Sequence, residues 1–304
     1  MILQQLADGL ILGSIIGLGA IGVTLTYSIL RFANFAHGEY LTFGAYMALV
    51  ALGYFQAFSD ATFGPLSFGW PLLAALAVSM GLTAGLALLL DRLLFTTLGR
   101  TSTAITLVIA SFGAALALRN LLFFMFGGLP AYYSRDIQIA LPLVPRSVLG
   151  GARVTPDQLA VLGLAIVLLV GMHLFLTRTT LGRAMRAVAY NPQLATVTGL
   201  DVAAVVRWTW VMGAALAAVA GVCSGLTVQI RPTLGFDLLL PLFAAAILGG
   251  IGSFYGAVLG GLIVGLAESL AVPLVGAEYR AAVAFILLIL ILLVRPSGLF
   301  GERA

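Results

Sequence analysis

Long apolar runs partition this sequence, and their length decides what it can fold into. A helix needs about 20 residues to cross a bilayer. Runs near that length are Leu6–Ile29, His37–Phe55, Pro71–Leu90, Thr103–Phe126, Gln158–Thr177 and Trp208–Val228. Three shorter ones follow, Leu238–Gly250, Gly256–Val272 and Tyr279–Val294. A backbone in lipid must satisfy its own hydrogen bonds, so the runs are expected as helices. The expectation is an all-α, polytopic membrane bundle in one domain, 1–304. It has nine spans, or eight if 238–250 is a re-entrant half-helix instead of continuing through Ile251–Tyr255. The chain is 62% hydrophobic and 9% charged, against about 25% charged for a soluble domain.

The N-terminal MILQQLADGL lacks the basic region of a signal peptide, and the apolar run after it is too long for one. It is expected to stay as the first span. The single Cys223 excludes an internal disulfide, and its apolar setting reads as a small buried side chain.

Arginine placement gives an orientation, because cytoplasmic loops carry the basic excess. With nine spans and the N-terminus outside, the inner side holds Arg31, Arg92, Arg100, Arg178, Arg183, Arg186, Arg207, Arg295 and Arg303. The outer side holds Arg135, Arg146, Arg153, Arg231 and Arg280, and Arg119 falls inside a span. These arginines are spread over loops, so the basic balance does not suggest nucleic acid. The outer loop Gly127–Asp157 carries four prolines and is expected to be an ordered, non-helical cap.

The densest charge lies in the inner segment Arg178–Arg207, RTTLGRAMRAVAYNPQLATVTGLDVAAVVR. Asn191 is a good N-cap, Pro192 suits the first helical position and Gly199 suits the C-cap, so Pro192–Thr198 reads as a short helix. Such a helix on the positive side of a membrane offers a surface to a partner.

Polar groups inside the runs are fewer. Arg31-Phe-Ala-Asn34-Phe-Ala-His37-Gly38-Glu39 separates the first two runs with no real loop. Asn34, His37 and Glu39 either cap the second helix and satisfy neighbouring backbone, or belong to a gate or translocation path. Arg119 and Glu268 are two further charges within spans. An intramembrane charge usually has a partner, which suggests the pair Arg119–Glu268. Glycines repeat at small-xxx-small spacing in three rows, Gly9/Gly13/Gly17, Gly252/Gly256/Gly260 and Gly81/Gly85, expected as tight helix contacts.

Other chemistry is poorly represented. His37 and His173 are the only histidines, and no metal-ligand spacing occurs. There is no lysine, hence no P-loop, so the chain cannot hydrolyse ATP that way on its own. No protease signature or nucleophile elbow is present, and an enzyme is not expected.

Four motifs together resemble a known family. NFAHGEYLTFGAY at 34–46, LGRAMRAVAYNPQLATVTGLDV at 181–202, AAAILGGIGSFYGAVLGGLIVGLAE at 244–268 and RPSGLFG at 295–301 are similar to LivH-type permeases of branched-chain amino acid ABC importers. The resemblance implies ABC importer permease architecture in the bacterial inner membrane, multi-pass. It implies two ATPase subunits carrying ATP and Mg, a LivM-type second permease, a periplasmic substrate-binding protein, and no cofactor in this chain. Membrane lipid is the surrounding solvent. The family's coupling helix, carried onto this sequence, comprises Gly182, Arg183, Arg186, Ala187, Asn191, Pro192, Ala195, Gly199 and Leu200. Rival readings are an ion-coupled secondary transporter titrating Glu39, Glu268 or His37, an intramembrane enzyme using His37 and Glu39, and a passive channel.

Overall fold

A computed structural model describes residues 2–59, 61–99, 103–134, 138–145, 151–295 and 297–300. The chain runs α1 (Ile2–Leu30), α2 (His37–Gln56) and α3 (Trp70–Leu90), which continues through a π-helical turn at Asp91–Phe95 into α4 (Thr96–Gly99). Next come α5 (Ala104–Phe126), a hairpin β1 (Leu141–Val144) and β2 (Ala152–Val154), and α6 (Pro156–Arg178). Two short helices follow, α7 (Thr180–Tyr190) and α8 (Pro192–Val197). The last four are α9 (Val202–Thr227), α10 (Leu234–Gly249), α11 (Phe254–Val275) and α12 (Arg280–Val294).

Among the described residues, seven helices are long and apolar enough to cross a membrane: α1, α3 with its extension, α5, α6, α9, α11 and α12 with the turn before it. Two of the expected runs fall outside that set. α2 has 20 residues but carries His37, Glu39 and Thr42 at its start. α10 has only 16. Gly250 (φ +101°) and Gly252 (φ +92°) end α10 and turn the chain, so Ile251–Tyr255 does not prolong that helix. α11 starts afresh at Phe254, where the Ser253 hydroxyl accepts the Gly256 N–H at 3.0 Å.

α1 is the centre of the bundle. Its most apolar window is 83% buried, against 22% for α5 and α6 and 6% for the last helix. α11 lies along α1, and glycine sets their distance. A Cβ on Gly13 would stand 2.9 Å from the Leu262 Cα, and one on Gly261 would stand 2.5 Å from the Gly17 Cα. In lipid this close approach of backbones replaces the hydrophobic drive between helices.

The rows pair otherwise than the sequence suggests. Gly9/Gly13/Gly17 of α1 faces Gly261 and Gly265 of α11, while Gly256 and Gly260 face Gly249 and Ala245 of α10. Gly252 belongs to the turn. Among the described residues, an added Cβ at Gly81 or Gly85 would meet nothing within 4 Å, so the third row makes no contact with them. A periodic glycine stripe marks a face where close packing is permitted; the partner decides whether it occurs.

The described part of the 127–157 loop contains no helix before Pro156, as its prolines dictate. β1 and β2 pair antiparallel with Leu141 opposite Val154. Ala131 bridges to Ile230, and the Tyr133 hydroxyl donates to the Ala45 carbonyl at 2.8 Å, which fixes the loop onto α2. Cys223 is buried in α9.

Candidate functional site

The polar segment between the first two helices returns into the bundle. α1 ends at Leu30, and Arg31 adopts φ +60°, a left-handed conformation that is costly for a residue with a Cβ. Its side chain offsets that cost. The guanidinium Nη2 donates to the Ala189 carbonyl at the end of α7, at 2.5 Å. The chain then climbs beside α1. The Asn34 side-chain oxygen accepts the Ala36 N–H at 3.1 Å, shaping the turn into α2.

His37, fully buried, opens α2 with Nε2 3.2 Å from the Gly19 carbonyl oxygen. Gly19 lies eleven residues before the end of α1, on the order of 16 Å along its axis. The N-terminus of α2 therefore sits deep within the bundle. α10 begins at the same level: the Gly235 N–H donates to the Thr42 hydroxyl at 2.8 Å, and a Cβ on Gly38 would stand 2.5 Å from the Gly235 carbonyl oxygen. Two helix N-termini thus meet inside the protein.

Glu39, 1% exposed, lies in the first turn of α2. Its partner is Arg119 of α5. Arg119 Nε and Nη2 both donate to Glu39 Oε1, at 3.0 and 2.7 Å. The guanidinium carbon stands 4.1 Å from the centre of the Phe236 ring, a cation–π contact. The expected Arg119–Glu268 pair is therefore incorrect. The Arg119 guanidinium lies against Glu39 and Phe236, and Glu268 on α11 is buried with Oε1 unpartnered among the described residues. Sequence spacing treats the two glutamates alike. Only the packing of α5 against the start of α2 chooses Glu39.

A second constellation lies where α6 ends. Three successive N-caps build it. The Thr179 hydroxyl accepts the Gly182 N–H at 3.0 Å and starts α7. The Asn191 side-chain oxygen accepts the Leu194 N–H at 2.9 Å and starts α8. The Asp201 carboxylate accepts the Ala204 N–H at 2.9 Å and starts α9. α8 ends as its Gly199 promises, at φ +84°. The Gly199 N–H donates to Thr196 and the Leu200 N–H to Ala195, at 3.0 and 3.1 Å, the paired bonds of a Schellman close.

The nine residues carried over for coupling divide by exposure. Gly182 and Ala195 are buried, and Leu200 is half-buried and packed on the core. A Cβ on Gly182 would stand 2.6 Å from the Leu176 Cα, so only glycine lets α7 fold back on α6. Arg183, Arg186, Ala187, Asn191, Pro192 and Gly199 are exposed. Sequence reading missed the neighbouring apolar surface, Tyr190 (80% exposed), Leu194 (58%) and Val197 (84%). It also missed α7, whose buried Met185 and Val188 sit three residues apart on the inward face and were legible as helical spacing.

The long apolar helices define a multi-pass membrane protein, with a buried ion pair inside it and an exposed helical turn between α6 and α9. The chain belongs to the family described as branched-chain amino acid transport system / permease component, which matches residues 5–292. It is 36% identical to the high-affinity branched-chain amino acid transport system permease protein BraD of Pseudomonas aeruginosa, over 99% of this chain and 96% of that one. It is 34% identical to LivH of Escherichia coli, a permease protein of the same description, again over 99% and 96%. Similarity extends to a probable LivH of Methanocaldococcus jannaschii, 29% identical over 97% of this chain and 91% of that one. All three relatives are named as transport permeases.

Proposed function

We propose that this chain is the membrane permease subunit of an ATP-driven ABC importer of branched-chain or related amino acids in the bacterial inner membrane. The observation that carries the reading is α8, a helix capped at both ends that presents Leu194 and Val197 outward, next to α7 with its exposed Arg183 and Arg186. Exposed apolar side chains in such a place mark a protein contact. The chain has no lysine for a P-loop, so the engine sits on other subunits, two ATPases holding ATP and Mg. A second, LivM-type permease and a periplasmic binding protein complete the assembly.

In this reading ATP binding moves α7 and α8, which tilt α6 and α9. The path then alternates between two packed states, each biased by a bound partner. Asn34, His37 and Glu39 stand at the gate of that path.

Crosslinking tests the docking element. Single cysteines at Gln193 or Thr196, in a Cys223→Ser background, are expected to crosslink to the ATPase. Crosslinks only from the residues near 91–99 would move the coupling element there. Accumulation of leucine in proteoliposomes is expected to require the ATPases and ATP. Accumulation on a proton gradient alone would instead establish a secondary transporter titrating Glu39, Glu268 or His37.

A further inference from the structure

We infer that the Arg119–Glu39 pair, together with Asp237 and Phe236, is a binding site for a zwitterionic α-amino acid, in which the ligand's carboxylate takes Arg119 from Glu39. This rests on the importer reading above and names where its substrate is held.

The first observation is an incomplete ion pair. Arg119 spends Nε and Nη2 on one oxygen of Glu39, and Glu39 Oε2 has no partner among the described residues although Glu39 is 1% exposed. A carboxylate and a guanidinium normally meet through two parallel bonds. Here the fork is half used, which leaves donors on Arg119 and an acceptor on Glu39. Those are the groups that a carboxylate and an ammonium require.

The second observation is placement. Charges at membrane depth face a cavity or a partner in preference to lipid. Arg119 is not sealed in: its side chain is 15% exposed, beneath the half-exposed ring of Phe236. The N-termini of α2 and α10 both end at this level, and their dipoles favour an anion there. Asp237, next to Phe236 in the first turn of α10, is half exposed, with its Oδ2 3.7 Å from Arg231 Nη2 and accepting from the Thr233 hydroxyl at 3.2 Å. It gives a second acidic group for the ammonium.

The third observation concerns the apolar part of the ligand. Phe112 precedes Arg119 by seven residues on α5, and Phe243 follows Phe236 by seven on α10. Seven residues are two turns, so each pair shares a face about 10 Å apart. Phe35 bridges the lower pair, with ring centres 6.1 Å from Phe112 and 5.4 Å from Phe243. Side chains of α5 and α10 thus meet in a polar storey, Arg119 on Phe236, and an aromatic one bridged by Phe35. A small amphiphile lies along it with its head at Arg119 and its side chain toward Phe35.

The test uses a diazirine analogue of leucine on the assembled wild-type complex in nanodiscs, without binding protein. Photo-adducts are expected on the segments holding Phe35–Glu39, Phe112–Arg119 and Phe236–Phe243. Excess leucine should suppress them. Leucinamide, which lacks the carboxylate, and isocaproate, which lacks the ammonium, should not. Arg119→Gln should reduce labelling about tenfold or more, the loss expected for a charged hydrogen bond. Phe236→Leu, at a half-exposed ring, should reduce it with assembly intact. Adducts elsewhere, or suppression by leucinamide equal to that by leucine, overturn the site. So does wild-type labelling by the charge-swapped E39R/R119E protein, which would make the pair a structural latch. The wild-type adduct map decides the location whether or not a variant assembles. ATP-driven leucine uptake by the same complex, moved into proteoliposomes and supplied with its binding protein, separates the two conclusions. Uptake with adducts elsewhere removes only this site. No uptake of any α-amino acid removes the importer reading and the site with it.

Discussion

Gly261 of α11 lies so close to Gly17 of α1 that a Cβ on Gly261 would stand 2.5 Å from the Gly17 Cα. The obstructing atom is backbone, so no rotamer change relieves it. Gly261→Val is expected to cost about 1–3 kcal/mol, the usual range for overpacking, and to lower the melting temperature in detergent. Gly85→Ala, with open space around it, should stay within about 0.5 kcal/mol of wild type. Equal losses at the two positions would show that the α1–α11 contact does not set stability.

Glu39 and Arg119 should couple in a double-mutant cycle, whereas Arg119 and Glu268 should not. Removing one partner of a buried pair leaves an uncompensated charge, which costs about 3–5 kcal/mol. Glu39→Ala and Arg119→Ala are therefore each severe, and the double mutant should be far less severe than their sum. Stability of the four proteins in each cycle is the measurement, and a coupling energy between Arg119 and Glu268 would contradict the geometry described here.

The exposed apolar face of α8 predicts a loss of partner without a loss of fold. Leu194→Asp and Val197→Asp place a charge on a surface that is 58% and 84% exposed. Both variants should melt like wild type yet fail to co-purify with the ATPase. Asn191→Ala should weaken the same turn by about 1 kcal/mol through the lost cap, a smaller defect in the same assay.

Gly182→Ala should separate hydrolysis from transport. Its Cβ would press on the Leu176 backbone, so α7 must lift from α6. The expected result is an assembled complex that hydrolyses ATP at near wild-type rate while leucine uptake falls severalfold. Equal falls in hydrolysis and uptake would place the defect in docking.

How much of this could be read beforehand follows from the range of the forces involved. The apolar runs located most helix ends to within about four residues, because crossing a bilayer is a local requirement of length and composition. α9 starts six residues earlier than its run and α3 continues to Gly99, both past the charged residues that bound the apolar stretch. The Asn191, Pro192 and Gly199 signals held at α8 for the same reason, since a cap acts within four residues. The choice of Glu39 over Glu268 for Arg119 was not legible, because it is made by the packing of α5 against α2, 80 residues apart in sequence. The glycine rows were visible but their partners were not, and Gly81 and Gly85 have none among the described residues. The π-helical turn at Asp91–Phe95 carried no proline or glycine to announce it.

Arg31 joins the two constellations. Its guanidinium holds the last turn of α7, and its own backbone begins the climb to α2. Only seven residues separate it from Glu39, and that stretch includes the Asn34 turn and the His37 contact to Gly19. The amphipathic surface helix and the interior charge are thus linked by a short tether, outside the two long helices that flank α7 and α8. A displacement of α7 that the long helices absorbed by bending would still pull on this strand.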